Sequence, residues 1–137
     1  MQDPNILLSV SGHTIKFCAG LRNADSWLDT YSIRLEALGL VAEAQVDNSP
    51  YGADPSDFFN DLADNWKGWR GEKRWESLEG EFSLLAATDL SGHVSLTAAL
   101  ISHGSHESWR STITLGLEAG QLDRIHRQIS AFFGRLD

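Results

Sequence analysis

The chain has 137 residues, a hydrophobic fraction of 42%, one cysteine and a formal net charge of −8. This length suits a single domain over residues 1–137 with a core of its own, and one cysteine excludes an intrachain disulfide. The acidic charge disfavours phosphate backbones, so we expect no nucleic-acid ligand. Because the sequence shows neither a secretion signal nor a long apolar run, we expect a cytoplasmic protein without a membrane span.

The first part of the chain predicts strands. Residues 5–10 are rich in apolar side chains, Ser11-Gly12 marks a tight turn, and alternating side chains follow, which together predict a β-hairpin. Residues 31–46 also alternate and are interrupted by Gly39, so we expect one bent strand or two strands that meet at a bulge there. A helix is the competing interpretation of residues 34–45, because Leu, Ala and Glu are good helix formers.

The first predicted helix opens at Asp54-Pro55. An aspartate can cap the free N–H groups, and proline suits the first helical position. The following apolar side chains recur at helical spacing and form one stripe, Phe58, Leu62 and Trp66. We therefore expect Trp66 in the core, with the helix ending at Gly68 or Gly71.

Three strands and a second helix complete the pattern. The strands are predicted at 75–88, 93–102 and 108–118, with a turn at 89–92 between the first two. A helix begins at Gln121, and its apolar stripe consists of Leu122, Ile125, Ile129, Phe132, Phe133 and Leu136. The element order β-β-β-α-β-β-β-α predicts an α+β domain, an antiparallel sheet of about six strands with two amphipathic helices packed on one face.

The segment 66–82, WKGWRGEKRWESLEGEF, is the most distinctive one, and we call it the tryptophan corner. It holds three of the five tryptophans, Trp66, Trp69 and Trp75, and four charged residues lie between the last two. Tryptophan and arginine are enriched at the centres of binding surfaces, whereas aromatic residues on a helix stripe usually belong to the core. The candidate binding residues are Trp69, Arg70, Lys73, Arg74, Trp75, Glu79 and His93.

No catalytic or metal-binding pattern accompanies this corner. His103 and His106 form an H-x-x-H, but a zinc site needs at least one further ligand, so we expect two solvated loop histidines and no metal or cofactor. The carboxylates around the corner fit a solvated face better than a hydrolytic pair. The nucleophile elbow, the phosphate loop, the dinucleotide fingerprint and H-E-x-x-H are all missing, so we expect no catalytic residues and a non-enzymatic protein.

A resemblance to a known family rests on two segments, WKGWRGEKRWESLEGEFSLLAATDLSGHV and LGLEAGQLDRIHRQISAFF. They resemble a bacterial, mainly actinomycete family, the domain of unknown function 6228, over residues 55–134. In the corner, the matching positions are Trp66, Gly68, Trp69, Gly71, Trp75, Leu78, Glu79 and Gly80. The resemblance implies no activity and no catalytic residue.

A looser likeness in architecture points to the small immunity proteins of bacterial toxin systems, which are acidic single domains without catalytic activity. We therefore expect an acidic binding module, immunity-like, that recognises a basic or toxin-like protein partner as a monomer or homodimer. The alternative is a small-ligand binder or weak enzyme with a pocket between the sheet and the helices. The residues of that pocket would be Trp66, Trp75, Glu79 and His93.

Overall fold

Eight strands and two α-helices form in the computed structural model, which describes residues 5–48 and 54–135. The strands are β1 (Ile6–Val10), β2 (His13–Arg22), β3 (Leu28–Ala37), β4 (Leu40–Asp47), β5 (Lys73–Glu76), β6 (Phe82–Thr88), β7 (His93–His103) and β8 (Ser108–Glu118). The helices are α1 (Ser56–Asp64) and α2 (Leu122–Phe133), and one 3₁₀ turn (Ala119–Gln121) precedes α2. The α+β class predicted from the sequence is confirmed.

The first sheet is an antiparallel meander in the order β1-β2-β3-β4. The predicted first hairpin is confirmed, and its turn residues Ser11 and Gly12 have φ angles of 51° and 83°, as a two-residue type I′ turn requires. At Gly39, φ is +79°, and the chain reverses there. Residues 31–46 are therefore neither one bent strand nor a helix. The alternative of two strands is confirmed, but a tight hairpin turn joins them in place of the predicted bulge, since glycine takes the left-handed conformation that this turn needs.

The second sheet has the order β5-β6-β7-β8 and is also antiparallel. The strand predicted at 75–88 is interrupted, because residues 77–80 form a turn between β5 and β6. Gly80, at φ 78°, donates its N–H to Ser77 O at 2.9 Å, and the Ser77 hydroxyl accepts the N–H of Phe82 at 3.1 Å. The turn at 89–92 and the alternation of β7 and β8 are as predicted.

The predicted single sheet of about six strands is thus wrong in its arrangement, because the strands before and after α1 pair only among themselves. Aromatic side chains join the two sheets in one core. Phe17 of β2 lies 5.8 Å from Phe82 of β6 and about equally near Phe132 and Phe133 of α2, ring centroid to ring centroid. Edge-to-face packing of this kind is the preferred geometry of aromatic pairs.

Both helices bury the described residues of the stripe that the sequence predicts, except Trp66, which follows the end of α1. Helix α1 buries Phe58, Phe59 and Leu62 and packs against α2, whose buried side chains are Leu122, Ile125, Ile129, Phe132 and Phe133. Leu136, the last member of the predicted stripe, lies outside the described residues. Neither helix of the described chain is long and apolar enough to cross a membrane.

Candidate functional site

Trp66 lies outside the helix and is exposed. Helix α1 ends at Asp64, and the Asn65 side chain that follows donates hydrogen bonds to Asp61 O at 2.8 Å and to Asp61 Oδ1 at 3.0 Å. The chain then turns, and Trp66 leaves the apolar stripe with 54% of its surface exposed. The expectation that Trp66 belongs to the core is therefore wrong. Lys67 Nζ lies 5.5 Å from the centre of its ring, within the range of a cation–π contact.

Trp69 is fixed to the second sheet. Its backbone N–H and C=O both bond the Thr88 hydroxyl, at 3.2 and 3.1 Å, and its indole N–H donates to Ala86 O at 3.4 Å. Lys73 Nζ lies 5.6 Å from the centre of the indole and 2.8 Å from Asp61 Oδ2 of α1. This half-buried arrangement holds the corner against the helix, so Trp69 and Lys73 act first as structural residues.

Trp75 is also part of the packing. Its ring lies 5.4 Å from Phe82 at an interplanar angle of 69°, on the inner side of β5. Arg74, on the outer side of the same strand, is exposed and pairs with Glu72 at 2.9 Å. Arg70 is exposed as well. The positive charge of the corner is thus partly neutralised, since Lys73 and Arg74 both have carboxylate partners.

Glu79 and His93 lie far from each other. Glu79 is in the turn before β6, and His93 follows the turn after it, so the seven residues of β6 separate them by about 20 Å. His93 contacts Asp89 Oδ2 at 3.3 Å and Glu118 Oε1 at 3.1 Å. The N–H groups of His93 and Ser91 bond the Asp89 carboxylate and lower its pKa.

The small-ligand pocket expected beneath the corner does not assemble from its four residues. Trp66 faces solvent, Trp75 packs on Phe82, and Glu79 and His93 are at opposite ends of β6. Buried apolar side chains of α1 and the second sheet occupy the interior on this side, among them Phe58, Phe59, Leu62, Phe82 and Leu84.

The exposed side of α1 forms a surface that the sequence pattern did not single out. Asp57, Asp61 and Asp64 follow one another at i, i+4 and i+7, so they lie on one side of the helix, opposite the buried stripe. Trp66 comes directly after them. We call these four residues the α1 ridge. Asp61 is paired with Lys73, whereas Asp57 and Asp64 have no ion pair with any described residue.

A groove of about 460 Å³ crosses the outer side of the second sheet. Its lining residues come from all four strands. They are Arg74, Trp75, Glu76, Gly80, Ser83, Leu84, Leu85, Thr97, Ala99, Ile101 and Arg110. We call it the outer groove. Only Arg74 and Trp75 of this set are among the binding residues predicted from the sequence, because the rest come together through pairing between strands.

The remaining reactive side chains do not form a centre. His103 and His106 are exposed, and the described residues contain no group of three or more His, Cys, Asp or Glu side chains placed to hold a metal. Cys18 is half-buried on β2, and desolvation raises the pKa of its thiol, which lowers its thiolate fraction and its reactivity.

Comparison with known proteins places the chain in a family. The model of the family of unknown function DUF6228 matches residues 7–135, so the chain belongs to this family. No curated protein matches it. A solved structure described as the crystal structures of Trypanosoma bruciei MRP1/MRP2 is similar at a TM-score of 0.43 with 11% identity, covering 93% of this chain and 82% of that one.

Proposed function

We propose that this member of the DUF6228 family is a non-enzymatic, acidic binding module of the cytoplasm that recognises a basic protein partner, in the manner of toxin-immunity proteins. The observation that carries the proposal is the α1 ridge, an acidic helix side that is followed along the chain by an exposed tryptophan. Tryptophan is enriched among the residues that contribute most to binding energy, because its large apolar surface is desolvated by the partner.

The charges of the ridge complement a basic surface. Asp57 and Asp64 form no ion pair with any residue that the structure describes, so a partner's lysines or arginines would supply their counter-charges. The formal charge of −8 adds a long-range attraction that speeds the encounter with a positive protein and weakens as salt is added. Lys73, which pairs with Asp61, keeps the helix in place against the corner.

The experiment that tests the proposal starts from the products of the neighbouring genes. Each is produced with the tagged full-length chain, and the affinity of any co-purified partner is measured by calorimetry. We expect Trp66→Ala to weaken binding about 30-fold, as the loss of a central tryptophan that contributes about 2 kcal/mol would.

Trp109→Ala is the matched control, because Trp109 is a second half-exposed indole, 41% accessible, on β8 of the second sheet. It is expected to bind as the unchanged chain does. The double variant Asp57→Asn, Asp64→Asn is expected to slow association and to flatten its salt dependence. A partner that binds Trp66→Ala as tightly as the unchanged chain would contradict the proposed role of the ridge in binding. A chain that turns over a substrate would contradict the proposal that the protein is non-enzymatic.

A further inference from the structure

The outer groove owes its shape to one small residue. Ala99 lies on the outward side of β7, yet only 4% of its surface is exposed. Its pairing partners on the neighbouring strands are Ser83 and Thr112, and Thr97 and Ile101 flank it along β7. Because a methyl group stands between larger side chains, the sheet surface is hollowed there, and Leu85 and Ile101 give the hollow apolar walls.

The charged residues that line the groove differ between the two edge strands of the sheet, β5 and β8. Arg74 on β5 is paired with Glu72. Glu76 also lines the groove, and its Oε1 would lie 2.8 Å from a Cβ built on Gly80, so its carboxylate leans towards the turn before β6. Arg110 on β8 is exposed and has no ion pair with any described residue. Two charged groups of the lining thus have no ion pair with a described residue, Glu76 on β5 and Arg110 on β8, and Arg110 is the cation.

The groove has the length of a short peptide. Its lining residues span four strands, that is three spacings of about 4.8 Å, or about 14 Å. About four residues of an extended chain cover this distance at about 3.3 Å each. The groove is open to solvent along the sheet surface, so it suits a segment of a larger molecule.

We infer that the outer groove binds an extended acidic peptide segment, with a carboxylate on Arg110 and an aliphatic side chain in the hollow over Ala99. An arginine forms two parallel charge-assisted hydrogen bonds with a carboxylate, and alternate side chains of an extended peptide fill pockets on one side. A single-stranded nucleic acid fits less well, since the one aromatic ring of the lining, Trp75, packs on Phe82 and the net charge repels phosphates. This inference goes beyond the proposed function, because it concerns a different surface and a ligand of opposite charge.

The test measures fluorescence anisotropy of a labelled five-residue peptide with the full chain. The peptide has glutamate at both ends and valine, leucine and valine between them, and its partner probe carries glutamine in place of both glutamates. We expect the acidic peptide to bind about ten-fold more tightly than the glutamine peptide. Arg110→Gln is expected to remove that preference, whereas Arg127→Gln, an exposed arginine of α2 beside Asp123, is expected to keep it.

Two further variants test whether a change in peptide binding comes from the groove, from the α1 ridge or from a loss of folding. Ala99→Leu fills the hollow and is expected to weaken the acidic peptide about ten-fold, with circular dichroism melting as the check that it folds. If it fails to fold, the result for Arg110→Gln decides. Trp66→Ala is expected to leave peptide binding unchanged, so a failure of the groove and a failure of the proposed protein partner give different results.

Several outcomes would overturn the inference. They are equal binding of the two peptides, an Arg110→Gln variant that keeps the preference, and displacement of the peptide by a single-stranded oligothymidine. If free suberate displaced the labelled peptide at the same concentration as the unlabelled peptide does, the groove would be assigned to a small dicarboxylate instead of a peptide.

Discussion

Phe17 is the side chain whose loss the fold should tolerate least. It is fully buried on β2, and its ring packs edge-to-face on Phe82, Phe132 and Phe133 and stacks on Tyr31 at 6.5 Å. Phe17→Ala therefore removes a contact shared by both sheets and α2. Truncation of a buried phenylalanine costs about 3–5 kcal/mol, out of the roughly 5–15 kcal/mol that typically stabilise a domain.

Urea unfolding followed by circular dichroism measures this loss. An unfolding entropy of about 2.1 cal/mol/K per residue converts it to a fall in Tm of about 10–17 °C for a chain of 137 residues. Leu38→Ala is the control, because Leu38 is fully exposed in the β3–β4 turn and its truncation should change stability by less than about 0.5 kcal/mol. A loss below about 1.5 kcal/mol for Phe17→Ala would refute the claim that this ring joins the three elements.

Two further predictions test the backbone and the pH dependence. Gly20→Ala should destabilise the fold by more than about 2 kcal/mol, because its Cβ would lie 2.2 Å from Thr30 O. Gly116→Ala is the control, since a Cβ there has open space and the change should be neutral or slightly stabilising. The urea unfolding midpoints of the two variants are compared, and equal midpoints would contradict the close approach of β2 and β3. Burial raises the pKa of Tyr31 well above its usual value. The contribution of the neutral tyrosine to stability is therefore complete below about pH 10 and is lost as the pH rises from there through the raised pKa. Tyr31→Phe should lose less stability than the unchanged chain between about pH 8 and about pH 11, and an equal loss in both proteins would show that Tyr31 is not the group responsible.

Local pattern was sufficient for the elements whose structure depends on near neighbours. The alternation of β7 and β8, the turn at 89–92 and the apolar stripe of α2 all follow from spacing within ten or so residues. The hairpin at Gly39 and the turn before β6 were missed for a common reason. In both places a glycine with positive φ, Gly39 or Gly80, reverses a chain whose side chains continue to alternate, and alternation alone does not report a reversal.

The division into two sheets and the outer groove could not be predicted in the same way. Which strands pair across α1 is a property of the whole fold, and the two sheets instead meet through side chains such as Phe17 and Phe82. Likewise, Ala99 becomes the floor of a groove only through its register with β6 and β8. Trp66 was wrongly predicted for a local reason, since α1 ends at Asp64, before the apolar spacing of its sequence does, and Trp66 is therefore exposed.

The tryptophan corner has two roles, since two of its tryptophans support the fold and one is exposed. Trp69 is held by three hydrogen bonds to β6, and Trp75 packs on Phe82, so the segment that leaves α1 is fixed at both positions. Trp66 is thereby presented from a fixed segment rather than from a free loop. This segment therefore loses little backbone entropy when a partner binds Trp66, and this is the condition under which one exposed indole contributes most to affinity. Trp66 therefore combines a large exposed apolar surface with a supported backbone, which favours the ridge as the recognition surface.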